Sequence, residues 1–223
     1  MSSRSALVVG ATGLVGASVV RRLAELGGHA RIVALVRRPS GAAGLAAGAL
    51  VESRVVDFDA LDAAAIGAAD DVFACLGTTM KQAGSKAAFR RVDHDYTVRV
   101  GELARAAGAK RIGLVSSVGA SARSSTFYLR VKGETERDIE ALGYPRVVIA
   151  RPSVLVGTRT EDRPGERVGI AVGRALSFAM VGGLARYRPI SAETVARALV
   201  AAVTGGNEGR VVLEHGELVT LGA

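Results

Sequence analysis

A chain of 223 residues is long enough for one domain with a substantial core, and with 49% hydrophobic but only 4% aromatic residues that core must be built from Val, Leu, Ala and Ile. No apolar run reaches the roughly 18 to 20 residues of a membrane span, so the reading excludes a membrane protein. The formal charge of +8 comes almost wholly from scattered arginines, without a basic tract or interleaved aromatics, which argues against a nucleic-acid surface.

In chain order, Ala6–Val9 reads as a buried strand. Gly10-Ala11-Thr12-Gly13-Leu14-Val15-Gly16 follows at once, and Leu14–Leu26 then has helical periodicity. Strand, glycine-rich turn and helix in that order make a diphosphate grip. The first glycine permits the tight turn, the second lets backbone approach the ligand, and the third lets the helix pack close to the sheet. The helix N-terminus supplies free N–H groups and the positive end of its dipole. The cofactor contacts expected here are Gly10, Thr12, Gly13, Leu14, Val15 and Gly16.

Further aliphatic runs at Arg31–Val36, Val51–Val56, Asp71–Cys75, Arg111–Val115 and Arg146–Ala150 alternate with helical stretches at Ala60–Ala69, Lys86–Ala107 and Thr126–Leu142. Gly27-Gly28, Gly108 and Gly143 mark helix ends. This rhythm predicts an α/β fold: a doubly wound parallel sheet of the Rossmann type, strand order 3-2-1-4-5-6, with ligands beyond the carboxyl ends of the strands. The organisation expected is one domain over 1–223, with 1–150 as the cofactor-binding core and 151–223 mainly a small C-terminal substrate lobe. That lobe would include a helix at Ile190–Val203 and a short strand at Arg210–Leu213. Residues 38–48 and 157–168 read as loops, the second one mobile.

Arg37-Arg38 end the second strand, where an NAD site normally carries an acidic residue. A guanidinium binds a 2′-phosphate through paired donors, so NADP(H) is expected over NAD(H). Asp57-Phe58 ends the third strand, where Asp57 serves either adenine or a turn cap. Leu76-Gly77-Thr78 ends the fourth, where a glycine admits the cofactor's sugar and phosphates. Cys75 reads as a small buried residue rather than a reactive one.

The fifth strand ends in Ser116-Ser117, and the next helix carries Tyr128 and Lys132 on one face. Reducing a carbonyl requires a proton delivered to its oxygen. A free phenol, with a pKa of about 10, becomes serviceable near neutrality beside an ammonium. Ser117 is assigned to the substrate oxygen, with Ser116 as the alternative.

These residues resemble the short-chain dehydrogenase/reductase superfamily in its extended or atypical branch, through Gly10-x-x-Gly13-x-x-Gly16 and Tyr128-x-x-x-Lys132. Cys75-Leu76-Gly77-Thr78-Thr79, Val92-Asp93-His94-Asp95-Tyr96, Tyr128–Glu134, Arg151–Leu155 and Arg163-Pro164-Gly165-Glu166 look most like the Tat-interacting-protein oxidoreductase family. The resemblance implies that Arg37 and Arg38 take the adenosine phosphate and that Leu76 and Gly77 line the cofactor channel. It also implies that Tyr128 and Lys132 are catalytic and that Arg151, Ser153 and Val154 pass near the nicotinamide. The superfamily's usual asparagine early in the long helix is replaced here by Asp93-His94-Asp95, which puts a complete proton relay in doubt. Two readings of His94 stand: a substitute in that relay or, like His29 and His215, a surface or satisfied histidine.

The expected activity is NADP(H)-dependent oxidoreduction of a small carbonyl or alcohol. A regulatory or redox-sensing NADPH-binding protein with a protein partner is the alternative. Thr78–Lys86 and residues 157–185 would close the pocket, with Phe178, Met180 and Tyr187 as an apolar wall. The long helices 86–107 and 126–142 allow a homodimer. Three dispersed histidines predict no metal site. The lone Cys75 and the short Met1–Ser5 leader point to the cytoplasm.

Overall fold

A computed structural model describes residues 4–39, 50–157 and 182–223. The predicted loops at 38–48 and 157–168, Arg163–Glu166, Phe178 and Met180 lie wholly or mostly outside them. The main sheet contains β1 (Arg4–Val9), β2 (His29–Val36), β3 (Val51–Val55), β4 (Asp71–Ala74), β5 (Arg111–Val115), β6 (Arg146–Ala150) and β9 (Gly209–Leu213). They lie in the order β3-β2-β1-β4-β5-β6-β9, every pair parallel. The expected order is thus extended by one strand. β7 (Leu155–Val156) and β8 (Ile190–Ser191) form a separate two-stranded parallel sheet.

The strand runs are aliphatic because helices cover both faces. On one face, α1 (Leu14–Leu26), α7 (Ala192–Gly205) and α8 (His215–Gly222) share a core with the sheet that includes Val8, Val19, Phe73, Val148 and Leu199. The other carries α2 (Ala63–Ile66), α5 (Tyr96–Ala106) and α6 (Phe127–Ala141) over Leu7, Leu35, Val72, Ile112 and Ile149. Each such side chain fully removed from water contributes about 1.5–3 kcal/mol relative to exposure.

Several elements depart from expectation. The predicted helix Ala60–Ala69 shrinks to α2 and a 3₁₀ turn at Phe58–Ala60, because Asp62 caps α2 at Ala65 and Gly67 stops it one turn later. Thr78–Lys86 is not an open lid loop: Thr79 caps a short helix, α3 (Met80–Ala83), and Ser85 caps the next, α4 (Lys86–Arg90). The long helix predicted at 86–107 is broken by a π-helical turn at Arg91–Asp95 between α4 and α5. α8 was not anticipated, since it is short and its Glu214/Glu217 capping box lies in a stretch without clear periodicity.

Buried charge ties the sheet along the amino-terminal edge of its strands. Asp71, fully buried at the start of β4, meets His29 at 2.7 Å and also the Arg111 guanidinium. Arg146 is buried at the start of β6 and donates to the carbonyls of Ala202 and Asn207, closing the C-terminal end of α7.

The helix α6 is seated by one bare residue. A Cβ on Gly133 would lie 2.1 Å from the carbonyl carbon of Ser121 and 2.2 Å from the nitrogen of Ala122. We expect Gly133→Ala to push α6 off the segment that follows β5 and to cost about 1–3 kcal/mol in urea unfolding, despite alanine's better helix propensity.

Candidate functional site

The strand order reverses between β1 and β4, and the chain opens a cleft there. It is about 800 Å³ in volume and is lined by Gly10, Thr12, Gly13, Val36, Arg37, Phe58, Leu76, Gly77, Thr78 and Tyr96, among others. Its floor is a close backbone crossing. Gly10 has φ +75°, and a Cβ there would sit 2.3 Å from the carbonyl oxygen of Cys75. A Cβ on Gly16 would sit 2.1 Å from the carbonyl oxygen of Gly10. Gly13 is the N-cap of α1; no side chain caps it and its first turn holds no acidic residue. The leading N–H groups of α1 are therefore left for a ligand, and their dipole favours an anion. Bare glycines, an uncapped helix end and a cleft of this size fit a dinucleotide diphosphate.

The other expected contacts divide. Arg37 and Arg38 are both exposed at the end of β2, and Arg37 lines the cleft. Phe58 also lines it and packs on the Tyr96 ring at 5.4 Å. Asp57 does not line it; its carboxylate accepts from the Asp59 amide at 2.9 Å, which is the turn-capping role. Leu14, Val15 and Gly16 belong to the body of α1 and support the turn from behind, Val15 and Gly16 being buried. Cys75 is held protonated: burial pushes its pKa up to about 12, against the opposing pull of the Lys132 charge.

Tyr128 and Lys132 emerge from the first turns of α6, Tyr128 half-buried with its ring 5.6 Å from that of Phe89. Neither they nor Ser117 are among the residues that line the cleft. Lys132 stands just behind its wall: a Cβ on the cleft residue Gly77 would lie 3.9 Å from its Nζ. The ammonium lies 2.8 Å from Asp93 Oδ1. Of the two serines after β5, Ser117 is half-buried, and its hydroxyl has only a long contact of 3.4 Å to the Val118 carbonyl. Ser116 is buried and donates to Glu136. The alternative serine is therefore already committed.

Arg151, Ser153 and Val154 do not reach the cleft. Arg151 forks onto Glu136, with Nε 2.9 Å from Oε1 and Nη2 on Oε2; this carboxylate raises its pKa further. Ser153 donates to the Arg188 carbonyl, and Val154 is exposed. Arg151 also borders a separate hollow of about 720 Å³, with Arg186, Arg188 and His215. Tyr187 is exposed on the 3₁₀ turn Gly182–Tyr187. His94 is satisfied, between Asp95 at 2.7 Å and Asp138 at 2.9 Å.

Sequence reading missed Glu136 and passed over Asp93. Glu136 stands one turn beyond Lys132 on the same helix face, and that spacing was its only signal. It joins the ends of β5 and β6 to α6. We expect Glu136→Ala, which strands the Arg151 guanidinium and the Ser116 hydroxyl, to cost about 3–5 kcal/mol in denaturant unfolding.

A family described as NAD(P)H-binding matches residues 10–205. Protein HTATIP2 of Rattus norvegicus is 35% identical over 225 residues, covering 100% of this chain and 90% of that protein. The protein FMP52, mitochondrial, of Eremothecium gossypii is 34% identical, with 97% and 96% covered. The Aspergillus clavatus fmp52 protein, also named mitochondrial, is 37% identical, with 92% and 88% covered. Among solved structures, MoeE5 in complex with UDP-glucose and NAD superposes with a TM-score of 0.67 at 20% identity, over 98% of this chain and 81% of that one. A UDP-N-acetylglucosamine 4-epimerase from Methanobrevibacter ruminantium M1 gives 0.72 at 14%, over 97% and 78%. These structures share the fold. The relatives bear out the resemblance drawn from the motifs, but the FMP52 proteins among them, named mitochondrial, overturn the cytoplasmic expectation. A lone cysteine and a lack of long apolar runs suit a mitochondrial protein equally well. No helix among the described residues is long and apolar enough to cross a membrane.

Proposed function

Because the chain belongs to the NAD(P)H-binding family, together with HTATIP2 and the FMP52 proteins, we propose that it is an NADP(H)-dependent oxidoreductase of the short-chain dehydrogenase/reductase type, acting on a small carbonyl or alcohol. When bound, a nicotinamide cofactor supplies or takes up the hydride. The chain's own residues do the rest. Gly10, Thr12, Gly13 and the open end of α1 hold the diphosphate. Leu76, Gly77 and Thr78 line the path from diphosphate to nicotinamide sugar. Arg37, with Arg38 beside it, meets the 2′-phosphate.

The observation that carries the catalytic reading is the placement of Lys132. Its buried ammonium stands behind Gly77 at the cleft wall, and Tyr128 lies one turn earlier on the same face of α6. A cation there stabilises a phenolate, so Tyr128 can give a proton to a carbonyl oxygen or take one from an alcohol. Ser117, whose hydroxyl is only weakly engaged, serves as donor to the substrate oxygen.

Tyr128→Phe should lower carbonyl reduction at least about a hundredfold, the scale of general acid catalysis, and leave NADPH binding within a few-fold. Tight NADPH binding with no turnover across a panel of aldehydes, ketones and quinones would instead favour the regulatory reading. Arg37→Ala with Arg38→Ala should weaken NADPH by about tenfold or more, some 1.4 kcal/mol, and leave NADH unchanged, as read by fluorescence titration. Equal affinity of the unmodified protein for both cofactors would defeat the phosphate assignment.

A further inference from the structure

The second hollow, of about 720 Å³, is bordered by the 3₁₀ turn Gly182–Tyr187, β9 and the start of α8. Among the described residues it shares no lining with the cleft between β1 and β4. Its size is that of a small-molecule site, and aliphatic Val212 and Val219 line it together with charged groups. Two polar atoms of that lining are buried and have no partner among the described residues: Arg188 Nε and His215 Nδ1. A buried cationic N–H left unpaired is costly, and folded proteins satisfy nearly all such groups.

The other charges around the hollow are engaged. Arg151 forks onto Glu136, and Arg210 donates to Glu140. Glu214 and Glu217 close a capping box on the first turn of α8, each carboxylate accepting the other's backbone amide. Arg186, exposed at the rim, donates to the Gly183 carbonyl at 3.2 Å. Arg188 differs. Its backbone is fixed, the amide on the Ala185 carbonyl and the carbonyl accepting from Ser153, yet its Nε is left without an acceptor among the described residues. His215 feels this guanidinium: burial first, and then the Arg188 charge, hold its pKa below the usual histidine value, so the imidazole is neutral near neutrality.

We propose that this hollow binds a small organic acid, whose carboxylate or phosphate oxygens accept from Arg188 and His215 while its aliphatic body lies over Val212 and Val219. The site stands independently of the acid/base reading of Tyr128. An oxyanion supplies the acceptor that Arg188 lacks, and a guanidinium takes such a group through paired donors. It also stabilises the imidazolium form of His215. The unliganded histidine holds its proton weakly and the liganded one more strongly, so the site tightens as pH falls. Arg151, Arg210 and the two glutamates keep their own partners throughout, which leaves Arg188 to select the anion.

The test follows the His215 imidazole signal by nuclear magnetic resonance in the full chain, identified by its loss in His215→Gln, with and without NADPH. Hexanoate and hexyl phosphate are the probes, and hexanol is the neutral control. At least one acid should bind saturably and raise the His215 midpoint by about one pH unit, a tenfold change in proton affinity; the stronger of the two identifies the head group. Hexanoate, ionised throughout, should bind several-fold more tightly at about pH 6 than at about pH 8. Arg188→Gln should weaken the bound acid at least about tenfold, and Arg188→Lys, which keeps the charge but loses the fork, at least about threefold. Arg21→Gln, which removes an exposed charge of α1 outside the hollow, should weaken it less than about twofold. If Arg188→Gln does not fold, Arg188→Lys decides. Shifts that never saturate, equal weakening in Arg21→Gln, or hexanol binding as well as the acids each overturn the proposal. So does displacement of the acid by NADPH, which would place it in the nucleotide cleft.

Discussion

The whole arrangement turns on a backbone contact that only glycine permits. Gly10 leaves β1 with a positive φ directly under the carbonyl of Cys75, and Gly16 brings the second turn of α1 onto the carbonyl of Gly10. Any Cβ at either position would sit well inside van der Waals contact. Because these residues have none, α1 starts immediately beyond the sheet, aimed at the gap where β1 and β4 part. The same crossing makes the cleft and leaves the first N–H groups of α1 without a capping side chain. A diphosphate held here would be gripped by backbone geometry, which a chain poor in aromatics can supply as well as any other.

The second theme is how the interior handles charge. Asp71, Asp93, Glu136 and Arg146 are all buried, and each meets a partner of opposite sign or a set of carbonyls. Three of these groups stand at strand ends or beside them, where helices and sheet must be held in register. Pairs of this kind add little net stability compared with apolar replacements, but losing one partner strands a charge. They therefore act as registration points. Glu136 is the clearest case: it gathers Ser116, Arg151 and α6 into one rigid corner and so decides that Ser117, not Ser116, keeps a free hydroxyl next to the helix bearing Tyr128.

Much of this was legible in the sequence because it depends on local pattern. Aliphatic runs of four to six residues marked six strands, and the glycine turn placed the cleft between β1 and β4. What escaped was decided at long range. Nothing near Arg210–Leu213 announces that it pairs with β6. The alanine-rich stretch 60–69 has helical composition but too narrow an apolar face, so a capping Asp62 and Gly67 cut it short. Arg151 follows a strand that points toward the cleft, yet a carboxylate 15 residues earlier turns it aside. Asp93 was visible only as a departure from an expected asparagine; its partner lies on another helix.

The π-helical turn Arg91–Asp95 explains how Asp93 can face Lys132 at all. A π turn carries an extra residue per hydrogen-bonded loop and widens the helix locally, so Asp93 and His94, neighbours in sequence, are both turned inward. Such a turn loosens the carbonyl ladder, and the structure compensates at the point of strain: Thr135 shares its hydroxyl proton between the Asp93 carbonyl and that of Val131. Thr135 stands three residues beyond Lys132 on α6. The residue that steadies the irregular turn and the residue that meets its carboxylate are thus presented by one helix face. If α6 shifted by a residue, both contacts would fail together. The irregularity is therefore part of how α6 is indexed against the cleft, and the position of the Lys132 ammonium behind Gly77 follows from it.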